Sequence, residues 1–176
     1  MTDSSAEGIQ ENAIEMLEEH HTVTISTRDE KSVWSATVFY VSDSNLNLFF
    51  LSAEKSKHIQ HINMIPEVSA TIYKDQKDWE KIKGIQMSGI VEELKGQDRE
   101  DAISQYLAKY EYLYRVINEP LNQDEEKIGS QFASIPFFKL QPTFIRIIDN
   151  QVAFGHREQI EKREGRWELF LSLIHI

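Results

Sequence analysis

The residues Ser52-Ala53-Glu54-Lys55-Ser56-Lys57-His58 gather hydroxyl, ammonium and imidazole groups at the expected first turn of a short helix. The first backbone N–H groups of a helix lack partners and its dipole is positive there, so this segment suits a phosphate. The same residues also suit a Ser-capped surface helix with solvated lysines. The second feature is the run VWSATVFYV, in which Trp34, Ala36, Val38 and Tyr40 alternate with Ser35, Thr37 and Phe39. Small side chains at Ala36 and Thr37 would let a planar ligand approach Ala36, Thr37 and Val38 and bond to the backbone. Ordinary barrel packing accounts for the alternation equally well. Gln86, between Gly84 and Gly89, would aim an amide at a ring edge or lie exposed on its strand.

Other chemistry is poorly supplied. His58 and His61 are spaced for one helix face and His20-His21 are adjacent, but the sequence names no third zinc ligand, and no metal is expected. There is no Walker loop, Rossmann glycine fingerprint, HExxH or GxSxG motif. Cysteine is absent, which removes disulfides, thiolate metal sites and cysteine nucleophiles. With 29 acidic residues and no pocket to select among them, no catalytic carboxylate pair can be named.

The elements that must hold these groups follow from periodicity. Ile9, Ala13, Met16 and Leu17 predict an amphipathic helix ending near His20, after a frayed Met1 to Gly8. Thr22–Thr27, Val33–Val41 and Leu46–Leu51 read as three strands joined by the polar turns Arg28–Lys31 and Ser42–Asn45. A short helix over Lys55–Met64 stops before Pro66. Val68–Tyr73 and Ile82–Leu94 return to strand, with Gly84 and Gly89 marking bends or close backbone approach. Asp98–Arg115 reads as one helix, Asn118–Ser134 as a polar loop, and Phe137–Ile148 with Gln151–Gly155 as a closing hairpin. About seven antiparallel strands, two or three helices and no βαβ alternation predict a small closed barrel.

Composition agrees with one domain. The chain has 176 residues, is 40% apolar and 27% charged, and carries a net charge of −10. Such an acidic surface repels phosphate backbones, so nucleic acid is not an expected partner. No apolar run approaches the roughly 20 residues of a membrane span. The acidic MTDSSAEG segment lacks the apolar core of a secretory signal, so a cytoplasmic location is expected. The boundaries read as a flexible 1–8, a domain over 9–157 and a tail over 158–176. The apolar decamer Trp167–Ile176 would need to dock on the body or a partner.

The order of these segments, from VWSATVFYV through LNLFFLS, the Ser-Lys-His helix start, IPEVSATIY and GIQMSGIVEEL to the late Phe154-Gly155-His156 turn, resembles the pyridoxamine 5'-phosphate oxidase-like family of FMN-binding split barrels. It is most similar to that family's small, uncharacterised bacterial branch. The resemblance implies a mainly β fold with α: an antiparallel split β-barrel of about six to seven strands with flanking helices. It further implies a homodimer with FMN in clefts at the subunit interface and flavin-dependent oxidation or reduction of a small molecule. The family's phosphate-holding Ser-Arg-Lys falls on Ser56, Lys57 and His58, with Lys55 beside it; two of its three positions differ here. Its flavin-contacting strand falls on Ser35 to Val38, and Gln86 lies two residues from the position of the oxidase's Gln. The oxidase's C-terminal substrate-binding Trp and Arg have no counterpart, so pyridoxamine phosphate oxidation itself is not expected. The alternative is a cofactor-free dimeric barrel serving as a stress or ligand-binding module. A haem-binding relative would need an axial ligand, with His58, His61 and His156 the nominal choices.

Overall fold

The computed structural model describes residues 4–170. Helix α1 (Ala6–Glu19) starts earlier than its apolar spacing predicts, because the Ser5 hydroxyl caps it by accepting from the Gly8 N–H at 3.1 Å. Its stripe of Ile9, Ala13, Met16 and Leu17 is buried. Strands β1 (Thr22–Arg28) and β2 (Val33–Ser42) form the first hairpin, followed by β3 (Leu48–Leu51) and α2 (Lys57–Met64). Next come β4 (Glu67–Tyr73), a 3₁₀ turn at Trp79–Lys81 and the long β5 (Lys83–Glu93). Three helices, α3 (Gly96–Lys109), α4 (Glu111–Asn118) and α5 (Gln123–Ser134), precede β6 (Phe137–Asp149), β7 (Arg157–Arg163) and β8 (Arg166–Leu169).

All pairings are antiparallel. The order β3-β2-β1-β4-β5-β6 closes through β3 onto β6, giving the expected mainly β fold: a six-stranded barrel with flanking helices. One edge of β6 serves two partners, β3 along Phe137–Leu140 and β7 along Phe144–Ile148. Inside the barrel, Ile25, Tyr40, Phe50, Ile72, Ile85 and Ile145 are buried with the α1 stripe. Burying each such side chain is worth about 1.5–3 kcal/mol. Outside it, Val41, Phe49 and Phe137 pack under α3 and α5 through Ala102, Tyr106 and Phe132.

Three expectations are corrected. The helix over Asp98–Arg115 breaks at Tyr110, whose hydroxyl donates to the Tyr40 carbonyl at 2.6 Å and whose ring meets Phe39 edge-on. These bonds draw Tyr110 toward β2 and out of helical geometry. The expected loop over Asn118–Ser134 contains α5, capped by Asn122 and tied to α4 by a bidentate Arg115–Glu125 pair. Gln151–Gly155 is turn, and the polar segment from Arg157 supplies the pairing strand instead, so the described sheet has eight strands and extends past residue 157. Of the apolar C-terminal run, Trp167 packs against the barrel core; residues 171–176 lie outside the described residues. Among the described residues no helix is long and apolar enough to cross a membrane.

Candidate functional site

The split in the barrel arises where β3 ends. β3 pairs with β2 only at Tyr40–Ser42, then leaves at Leu51 to start α2. Val33 to Phe39 therefore pair with β1 on one side and with no strand on the other. The Tyr40 N–H donates to the His21 carbonyl at 3.1 Å, which sets the alternation of the ladder. Residues 34, 36, 38 and 40 spend their backbone groups on β1, whereas Val33, Ser35, Thr37 and Phe39 turn theirs to the open edge. Of the expected Ala36, Thr37 and Val38, only Thr37 offers its own N–H and C=O to a ligand there. Neighbouring Ser35 does the same.

The segment expected to hold a phosphate lies beside this edge. Ser56 is the N-cap of α2 by position, but its hydroxyl donates to the Ala53 carbonyl at 2.7 Å and caps nothing. The first N–H groups of α2 are thus left without a side-chain acceptor. Lys57 is exposed, with its ammonium 4.8 Å from the centre of the Trp34 ring, which braces the cation at the end of the open edge. Lys55 is exposed one turn earlier. The sequence carries no signal that brings Trp34 to this segment: it stands 23 residues before Lys57 and meets it only in the fold.

His58 points the other way. It is buried, with Nε2 2.7 Å from the Ser52 hydroxyl, and burial lowers its pKa. The ring is neutral at pH 7 and its Nε2 already has a partner, so it offers no cation to a phosphate. Between the ordinary histidine pKa and the lowered folded value, the unfolded chain binds more protons than the folded one. The contribution from His58 is therefore present above about pH 6.5 and lost as pH falls below it. We expect urea midpoints to drop less between pH 7 and pH 5 in His58→Gln than in wild type; parallel pH profiles would remove this role.

His61 is also buried, between the Thr27 hydroxyl at 3.3 Å, Ser32 at 3.4 Å and the Asp29 carboxylate at 3.4 Å. It ties the β1–β2 turn to α2. His156 lies 3.7 Å from Glu158. His58 and His61 thus have hydrogen-bond partners, whereas the buried Nε2 of His156 has none, and among the described residues no three His, Asp or Glu side chains converge as metal ligands. At the other end of the open edge, Lys109 donates to the His20 carbonyl at 2.7 Å and lies over the Tyr40 ring, with burial lowering its pKa. Burial pushes the Tyr110 hydroxyl up to about 12, so it remains a donor.

Gln86 is not brought to this cleft. It is exposed on the outer face of β5, three strand spacings from β2, about 14 Å along the sheet. That face carries two uncharged rows across four strands. One is Thr37-Thr24-Thr71-Gln86 and the other Ser35-Ser26-Ser69-Ser88. The rows lie between the exposed apolar Phe39 and Tyr73 on one side and, on the other, Val33 and Ile90 with the exposed charged Arg28 and Glu67 between them.

A closed six-stranded barrel split between β2 and β3, with α2 at the opening, defines the class as a split barrel with the pyridoxamine 5'-phosphate oxidase-like fold. A putative pyridoxamine 5'-phosphate oxidase from Listeria innocua superposes with TM-score 0.57 at 16% identity, over 80% of this chain and 98% of that one. A haem-binding protein from Mycobacterium smegmatis gives 0.67 at 15%, over 92% and 60%. An FAD-binding protein from Mesorhizobium loti gives 0.55 at 17%, over 76% and 89%. In sequence the chain is similar to the UPF0306 protein YhbP of Salmonella schwarzengrund, 26% identical over 142 residues, 80% of this chain and 85% of that protein. No family model matches.

Proposed function

We propose that this chain is a cytoplasmic homodimeric split barrel that binds FMN and uses it to oxidise or reduce a small molecule. The observation that carries the reading is the uncapped start of α2, with Lys57 braced on Trp34, beside the unpaired β2 edge. The α2 N–H groups, Ser56 and the Lys55 and Lys57 ammonium groups would hold the phosphate. The open backbone groups of Ser35 and Thr37 would orient the ring by hydrogen bonds. Bound flavin would supply hydride chemistry. Gln86 would contribute only across the dimer, to the partner's cleft. Support for the dimer comes from the outer face, where the central rows carry no charge although the chain holds 29 acidic and 19 basic residues. A solvated face of an acidic protein would be expected to carry some of them.

Fluorescence titration of cofactor-stripped protein with FMN and riboflavin, with light scattering for mass, tests the reading. We expect micromolar FMN binding, riboflavin at least about tenfold weaker, and a dimer. No FMN binding at about 100 μM would overturn the flavin reading and favour the cofactor-free dimeric module. The inward turn of His58 is the observation on that side.

A further inference from the structure

We infer that the outer face carries a second small-molecule site, a slot over Gly84 that takes an organic carboxylate, with its apolar body between Tyr73 and Ile148 and its carboxylate on Arg146. Gly84 pairs with Tyr73 on β4 and with Ile148 on β6, and all three positions belong to the outer face. Where a side chain would stand between two large neighbours, glycine leaves a gap. A Cβ there would lie 2.8 Å from the Ile72 carbonyl oxygen and 3.0 Å from Tyr73 Cβ, so the floor of the gap is backbone. The resulting cavity of about 340 Å³ is also lined by Ile82, Thr71 and Gln86, and is at the small end for ligand pockets. Tyr73 is 64% exposed and no aromatic partner holds its ring among the described residues.

Arg146 lies just outside the cavity, beside its lining residue Gln86, with its guanidinium 5.7 Å from the centre of the Phe144 ring. It lies two residues from Ile148 on the same face of β6 and pairs with Gln86 across the ladder. Its Nε and Nη2 donate to Gln159 Oε1 at 3.3 and 3.0 Å, and Nη1 donates to Gln86 Oε1 at 3.4 Å. No carboxylate pairs with it among the described residues, whereas Arg115 is paired with Glu125 and Arg163 with Glu161. Neutral amide oxygens orient a guanidinium without cancelling its charge. Three of its five N–H groups are used, leaving two for an anion. A planar fork of this kind matches a carboxylate.

The remaining charges narrow the class. Lys83 is taken up by Asp149 at 3.6 Å, and Asp75, which lines the slot beside Lys74, opposes a more highly charged head group. One uncancelled guanidinium beside an apolar slot fits a monoanion with an aromatic or branched aliphatic body. Neither β2 nor α2 lines the slot, so it is distinct from this chain's own flavin cleft, although its lining residue Gln86 is the one the flavin reading gives to the partner's cleft. If the uncharged rows pack against a second copy, Lys74 and Asp75 place the mouth at the rim of that contact.

Calorimetric and ligand-observed NMR titrations with phenylacetate and the uncharged phenylacetamide test the assignment. Wild type should bind phenylacetate saturably, and the amide at least about tenfold more weakly. Arg146→Gln should abolish that preference. Tyr73→Ala, at an exposed position, should weaken both ligands severalfold while leaving the circular dichroism spectrum unchanged. Lys57→Glu should bind phenylacetate as wild type does, which separates this slot from the flavin cleft. Equal binding of acid and amide, a preference that survives Arg146→Gln, or no saturation by about 10 mM would overturn the proposal.

Discussion

Lys57→Glu should weaken FMN binding by about tenfold to a hundredfold and leave riboflavin binding within about twofold of wild type. A charge-assisted hydrogen bond contributes about 1.5–3 kcal/mol, and reversing the charge adds repulsion to that loss. The ammonium of Lys57 sits over the Trp34 ring at 4.8 Å, so the cation is held near the α2 start before any ligand arrives. Riboflavin lacks the phosphate and should not sense the change. Lys57→Arg should retain binding, because a guanidinium also stacks on an indole and its fork suits phosphate. Trp34→Leu should lower FMN affinity less than Lys57→Glu, since it removes the brace and leaves the charge. Parallel losses for FMN and riboflavin would show that Lys57 supports the fold of the cleft and does not touch phosphate. Raising salt from low to physiological strength should narrow the gap between the ligands, because an exposed charge pair is screened over about 8–10 Å.

Much of the barrel was legible because several of its strands, β1, β4 and β5 above all, bury one face. Val23 and Ile25 alternate with exposed or half-buried Thr and Ser, and Ile85, Met87 and Val91 repeat the pattern in β5. The later elements lack that signal. Strand β7, REQIEKR, has Glu158 and Ile160 as its only buried residues, so it reads as solvated chain. Helix α5 hides for a similar reason: among the described residues Phe132 is its one buried hydrophobic, and its start is set by Asn122 and Glu125. The break at Tyr110 depends on a hydroxyl bond to Tyr40, 70 residues away in sequence, which no local pattern encodes. In the candidate site, the helix start at Ser56-Lys57 was readable from residue types. The inward turn of His58 was readable in part, since it stands four residues before the buried Ile62 on the same helix face. Which backbone groups of β2 remain open was not readable, because it follows from where β3 departs and from the phase of the β1 ladder. Arg146 was equally hidden: its lack of an acidic partner is a property of the assembled sheet.

The largest effect on stability should come from a single methyl group in β5. Gly89→Ala should destabilise the barrel by about 3 kcal/mol or more, a sizeable share of the 5–15 kcal/mol typical of a domain. The sequence marks Gly84 and Gly89 as places of bending or close approach, and Gly89 is where the approach is tightest. The β5–β6 register shifts between Ser88 and Gly89, so that Ser88 faces Phe144 while Gly89 faces Pro142. Thr143 is the extra residue of this bulge, and it lets Pro142, which has no N–H, sit within a long antiparallel pair. A Cβ on Gly89 would overlap the Gln141 carbonyl oxygen and stand 2.8 Å from Pro142 Cα. Both obstacles are backbone, so no rotamer change relieves them; β5 and β6 would have to separate. That separation would loosen β6, which also carries the β3 closure at Phe137–Leu140. Ser88→Ala, one residue away and outward-facing, should change stability by less than about 0.5 kcal/mol and controls for the bulge itself. On thermal melting, Gly89→Ala should lower Tm by about 6–12 °C, given roughly 2–4 °C per kcal/mol at this size. A melt within about 2 °C of Ser88→Ala would mean that β5 and β6 do not approach as closely at Gly89 as their pairing requires.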